Sequence, residues 1–158
     1  MKQYIGVKMV QAEPAYRYWL ETGQMVFVAH DEDKPRIVEK ATACDDGYKI
    51  RYPDGYVSWS PKDVFEEAYR QADAMNFGLA LEAAKQGERV ARKGWNGKNQ
   101  YVEIATCISY KNSAGEIVNV DHCNIGNKAL AFVGTSGVQI GWLASQADML
   151  ADDWYIVK

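Results

Sequence analysis

The segment richest in potential chemistry is Ala91-Arg92-Lys93-Gly94-Trp95-Asn96-Gly97-Lys98. Two glycines three apart let a backbone turn tightly and expose N–H groups, and Arg92, Lys93 and Lys98 place positive charge around them. That pattern suits a phosphate. It is not a P-loop, because G-x-x-x-x-G-K-[ST] is not met. The same residues also fit an ordinary basic hairpin in which Trp95 covers the edge of a core. A second cluster lies near the end of the chain, where Trp142 and Trp154 flank Ser145, Gln146, Asp148, Asp152 and Asp153. Indole faces stack bases, while Ser, Gln and Asp read ribose hydroxyls and base edges, so the combination suits a nucleotide. Against this, Ser145 with Asp148 fits an N-terminal helix cap, and an isolated Trp is more often core than platform.

Catalysis and metal binding find little support. The two histidines are His30, in a charged loop, and His122, in Asp121-His122-Cys123. Adjacent strand residues point to opposite faces, so that triplet cannot align nucleophile, base and orienter by itself. No pair of His or Cys has the spacing of a structural zinc site, and no metal or other cofactor is expected. The three cysteines, Cys44, Cys107 and Cys123, include no CxxC pair and read as free thiols in a reducing compartment.

The 158 residues are 47% apolar and 25% charged, enough for one ordinary domain or two small ones. Lys and Arg number 18 against 21 Asp and Glu, a formal net charge of -3. A protein that wraps duplex nucleic acid by counterion release is normally basic, so a nucleic-acid polymer is not the expected partner. No stretch approaches the roughly 20 apolar residues of a membrane span, and the N-terminus has no signal-peptide apolar region, so a soluble protein without a membrane partner is expected.

The elements that must position these residues follow from patterning. Residues 1–74 hold 10 basic and 13 acidic residues, whereas 75–158 hold 8 and 8, which places a boundary near Gln71–Met75 and gives units 1–72 and 73–158. In the first, Gln3–Val10 alternates like an edge strand, Pro14–Leu20 reads as a short helix, and Met25–Ala29 is an apolar run before a polar loop, His30–Lys34. Tyr48–Tyr52 and Tyr56–Ser60 form a hairpin about Pro53-Asp54-Gly55, followed by a helix to about Arg70 with Ser60 as N-cap and Pro61 as its first residue. In the second, Asn76 caps a helix over 76–86 that Gly87 ends. Strands follow at Arg89–Arg92, Gln100–Thr106, Ile117–Val120, Leu130–Val133, Val138–Trp142 and Trp154–Val157, with a turn at Thr135-Ser136-Gly137 and a short helix from Ser145 to Leu150. Asp54–Pro61 and Ser136–Leu143 share a loose order of turn, strand, Trp and helix. The fold class is α+β, a small antiparallel sheet with short helices and an N-terminal α+β extension.

Three blocks carry a family resemblance: Met75-Asn76-Phe77-Gly78 with Ala80-Leu81, then Arg92 to Lys98, then Ser145-Gln146-x-Asp148-Met149-Leu150-Ala151-x-Asp153-Trp154. In this order they resemble the phage anti-defence domain known as the second type of Thoeris anti-defence protein. They span about half the chain. The front half, with Tyr4-Ile5-Gly6, Ala12-Glu13-Pro14 and Tyr52 to Lys62, resembles an extension fused to that domain in some phage proteins.

The resemblance implies a sponge, not an enzyme. Family members bind and hold a cyclic ADP-ribose isomer, 1''-3' gcADPR, made by a bacterial TIR enzyme, and so keep the Thoeris effector silent in the cytoplasm of the infected host. Some also hold cyclic dinucleotides of the CBASS type at separate sites, and family members assemble as homotetramers with pockets between chains. Carried over to this chain, Trp95 would stack on the adenine or ribose-phosphate portion, Asn96 and Gly97 would shape the turn, and Trp142 would be a second wall, with Trp154 as a further aromatic candidate. Ser145, Gln146 and Asp148 would supply polar contacts, and Arg92 or Lys98 the counter-charge to the diphosphate. The stretch Cys107–Asn127 is longer and more polar than the family core requires and reads as an insertion near the pocket.

Overall fold

A computed structural model of the chain describes residues 3, 7–29, 41–122 and 128–158, with backbone alone at 41–43. His30, the loop His30–Lys34, Tyr4-Ile5-Gly6 and Cys123 lie outside the described residues. The chain divides into two units, Met1–Arg70 and Gln71–Lys158, each with antiparallel sheet and short helix. This is the α+β class expected from the sequence.

In the N-terminal unit β1 (Gln11–Leu20), β2 (Met25–Ala29), β3 (Ala41–Arg51) and β4 (Val57–Pro61) form an antiparallel sheet in the order β2-β1-β3-β4. Pro14–Leu20 is strand, not helix. Its residues alternate between Tyr16 and Tyr18 on one face and Ala15, Arg17 and Trp19 on the other, and aromatic side chains favour a pleated, half-buried surface. Pro14 is tolerated because it lies one residue beyond Ala15↔Ala29, the end of the β1–β2 pairing, where β1 has β3 as its one described neighbour. Val7–Val10 precede the strand rather than forming one.

The hairpin about Pro53-Asp54-Gly55 is present, with Gly55 at φ 86° and its N–H bonded to the Tyr52 carbonyl at 2.9 Å. Helix α1 (Lys62–Ala68) starts one residue later than expected. Ser60 stays in β4 opposite Tyr48, Pro61 is the cap residue, and no side chain caps the helix. Phe65 of α1 stacks on Tyr48 at 4.2 Å, over a core of Tyr18, Val28 and Ile50.

In the C-terminal unit β5 (Val90–Arg92), β6 (Tyr101–Thr106), β9 (Lys128–Gly134), β10 (Gly137–Ile140) and β11 (Trp154–Ile156) form a second antiparallel sheet, ordered β10-β9-β6-β5-β11. Helix α2 (Phe77–Lys85) packs on it through Ala80, Ala83 and Ala84 against Val90, Val102 and Trp154. Asn76 caps α2 by accepting the Leu79 N–H at 2.9 Å, and Gly87 ends it at φ 97°. Thr135 and Ser136 form the turn between β9 and β10. The 107–127 stretch contributes a small separate ribbon, β7 (Tyr110–Lys111) with β8 (Ile117–Val118). Helix α3 (Gln146–Met149) is a single turn.

Candidate functional site

The pairing of β11 on β5 builds the site. Trp154 lies opposite Arg92, which carries Asp153 to the start of the glycine turn although 61 residues separate it from Arg92. Asp153 then holds the turn from two sides. Its Oδ2 accepts the Gly94 N–H at 2.9 Å and its carbonyl accepts the Lys93 N–H at 3.2 Å. The turn read from the sequence as an anion cradle therefore already contains a carboxylate from its own chain.

Arg92 is the hub of the cations, engaged through its Nε and Nη1. Its Nε donates to Asp153 Oδ1 at 2.8 Å, and its Nη1 donates to Asp148 Oδ1 at 2.9 Å and to the Ala147 carbonyl at 3.1 Å. The two carboxylates raise the Arg92 pKa above its ordinary value. One guanidinium faces two carboxylates, so the expected surplus of positive charge is absent at this point. Lys93 is exposed, with its ammonium 4.0 Å from Asp73, and Lys98 is exposed.

Asp148 is the one buried polar residue of the described core, 8% exposed. It forms a capping box with Ser145, accepting the Ser145 N–H at 3.0 Å and its Oγ–H at 2.7 Å while the Ser145 Oγ accepts the Asp148 N–H at 3.1 Å. Its Oδ1 also accepts the Trp95 Nε1–H at 3.0 Å. Burial alone would raise its pKa, but the hydrogen bonds from Ser145, Trp95 and Arg92 outweigh burial and bring it down to about 2. Asp153 is likewise lowered, chiefly by Arg92.

Above this network stand the aromatic rings. Trp95 meets Phe132 at 5.4 Å, Trp142 at 5.9 Å and Trp154 at 5.4 Å, each edge to face. Phe132 and Trp142 stack with 20° between planes. Trp95, Asn96, Gly97, Gln100, Phe132, Trp142 and Asp148 enclose a cleft of about 230 Å³. Trp95, Gly97 and Gln100 also line a second cleft of about 300 Å³, together with Lys93, Arg92, Asn99, Tyr155 and Asp73.

The structure thus gathers Trp95, Asn96, Gly97, Trp142 and Asp148 around one cleft and places Arg92 on the second. Trp154 is different. It is 0% exposed and its Nε1–H donates to the Asp148 carbonyl at 2.9 Å, so it is core beneath the cleft rather than a stacking surface. Ser145 is exposed but its hydroxyl is committed to the cap, and Gln146 is exposed at the start of α3; with Lys98, they line neither cleft. Sequence reasoning passed over Phe132, which looks like any apolar strand residue, and Gln100. A signal for Gln100 existed: extending β6 back one residue puts it on the inward face with Val102 and Ile104, an unusual place for a carboxamide.

Residues 75–157 match the family described as the Tad2-like, Thoeris anti-defense 2-like domain. That is half the chain. The chain belongs to the Thoeris anti-defense 2-like family. Its relative in Bacillus phage SP01, Thoeris anti-defense 2, is 41% identical over 89 residues, which are 53% of this chain and 96% of that protein. Membership in this Thoeris anti-defense 2-like family supports a phage anti-Thoeris role, and the residues of both clefts, apart from Asp73 of the second, fall within the matched residues. No helix among the described residues is long and apolar enough to cross a membrane.

Proposed function

We propose that this chain is a non-enzymatic sponge that binds a cyclic ADP-ribose isomer, 1''-3' gcADPR, in the cytoplasm of an infected bacterium and so silences the Thoeris effector. The observation that carries the reading is the cleft itself. Three aromatic rings, Trp95, Phe132 and Trp142, meet at one opening with polar groups at its wall, the composition that suits a stacked base with hydrogen-bonded edges. Nothing in the network resembles a poised catalyst. Asp148 and Asp153 are held ionised by Arg92 and by donors of their own chain, and a carboxylate with a lowered pKa is a weak general base near neutral pH.

A sponge works by affinity and copy number, and nanomolar holding corresponds to about 12 kcal/mol. Ligand pockets for molecules of this size span about 300–1,000 Å³. The aromatic cleft has about 230 Å³, so walls from further copies would complete it, in keeping with a homotetramer. Those copies would also bring the cations that a diphosphate needs, since Arg92 is engaged. The second cleft favours a second reading of the same class, a CBASS-type cyclic dinucleotide held there beside the first ligand.

Calorimetry of the purified chain with the cyclic ADP-ribose isomer is expected to show tight binding, and heat denaturation to return the ligand intact. Altered ligand, or turnover beyond one molecule per site, would refute the sponge. Competition with a cyclic dinucleotide separates one shared site, where one ligand displaces the other, from two independent ones.

A further inference from the structure

We propose that Gln100 is the specificity-determining residue of the aromatic cleft, reading the edge of the ligand's base and selecting adenine over guanine; this rests on the nucleotide reading above. Gln100 is half-buried and lines both clefts. Its carboxamide fills the space that a Cβ at Gly97 would take, and its Nε2 lies 3.6 Å from where a Cβ at Gly134 would stand. Gly97 makes the slot, and Gly134 borders it at ordinary contact distance. Asn99, in the left-handed conformation at φ 56°, turns the chain directly before it.

The carboxamide held in this slot makes no hydrogen bond to any described residue, as donor or as acceptor. The contrast with its neighbours is sharp. Asp148 on the same cleft is saturated by Trp95, Arg92 and Ser145, and Asn96 is exposed to water. A half-buried amide shielded on one side has lost part of its water without gaining a protein partner, a cost that a ligand hydrogen bond would remove.

What it would bond follows from its two groups. A carboxamide offers one acceptor oxygen beside one donor nitrogen. Adenine presents the complement, the N6–H donor beside the N7 acceptor, whereas the same edge of guanine carries two acceptors, O6 and N7, and is met by Arg or Lys. A base stacked on Trp95 or Trp142 turns its edge to the cleft wall, where Gln100 stands. Arg92, the guanidinium nearest this turn, is held by Asp148 and Asp153.

The test is calorimetry of the full chain and two variants with the cyclic ADP-ribose isomer and with its counterpart carrying guanine in place of adenine. The wild type is expected to prefer the adenine ligand at least 10-fold. Gln100→Met, of similar shape but without the amide, should bind the adenine ligand at least 10-fold more weakly and lose the preference. Gln100→Glu sets a second acceptor against N7 and should lower adenine affinity by a similar factor, which tests the donor where the Met variant does not fold. A merely structural role would weaken both ligands alike and leave the preference unchanged. Unchanged affinity and preference in the variants would overturn the proposal and leave the sponge standing; no binding of either ligand to the wild type would overturn both.

Discussion

Trp95 and Asp148 are 53 residues apart in the chain and joined by one hydrogen bond, Nε1–H to Oδ1 at 3.0 Å. Through it the buried carboxylate that caps α3 also fixes the indole forming the wall of the aromatic cleft. One carboxylate therefore ties the cap of the last helix to the wall of the site.

Removing that carboxylate should damage both. Asp148→Ala leaves the Arg92 guanidinium without one of its two carboxylate partners and strips the cap, and breaking a buried pair in this way costs about 3 kcal/mol or more. Urea unfolding of the C-terminal unit is expected to shift to lower denaturant by that amount. Asp148→Asn, which keeps an oxygen for Trp95, should lose less.

The same carboxylates set the acid limit of the fold. Both Asp148, at about 2, and Asp153 titrate below the ordinary value of 3.8, so the unfolded chain binds more protons than the folded one in this range. The Asp148 contribution is complete above about pH 5, declines as the pH drops past 3.8 and is gone below about 2, and that of Asp153 is lost in the same direction. Thermal unfolding at stepped pH should show a loss over that window that Asp148→Asn reduces.

Two tryptophans at one site should give opposite phenotypes. Trp142→Ala removes a half-buried ring on the cleft and is expected to weaken ligand binding by about 10-fold or more, from a stacking contribution of roughly 1–3 kcal/mol. Trp154→Ala empties a fully buried position and should cost about 3–5 kcal/mol of stability. Calorimetry with the cyclic ADP-ribose isomer and circular dichroism melting distinguish the two.

The N-terminal unit has its own sensitive position. The Trp59 indole lies over Gly47, where a Cβ would collide with its ring and with the Ser60 carbonyl, and the Arg17 guanidinium stacks on that indole at 3.9 Å. Gly47→Ala is expected to destabilise this unit by about 1–3 kcal/mol. Hydrogen exchange of β1 and β3 amides should accelerate accordingly.

Local chemistry made much of the architecture legible. Asn76 and Gly87 bracketed their helix, Pro53-Asp54-Gly55 its hairpin, and Ser145 with Asp148 its cap, because each acts on backbone within a few residues. Pro14–Leu20 misled for the opposite reason. A short aromatic run holds both periods, and it was pairing with β3, some 30 residues on, that made it a strand.

The sequence by itself determined the family blocks, the tight turn at Gly94–Gly97 and the presence of aromatic rings near it. The tertiary structure alone decided which of those rings face a ligand. It sank Trp154 into the core, lifted Trp142 against Phe132, spent the charge of Arg92 on Asp148 and Asp153, and left the Gln100 carboxamide unmatched among the described residues. The physical reason is range. Caps and turns are settled by neighbours in sequence, whereas burial and charge pairing depend on the register of β11 against β5, which joins residues about sixty positions apart.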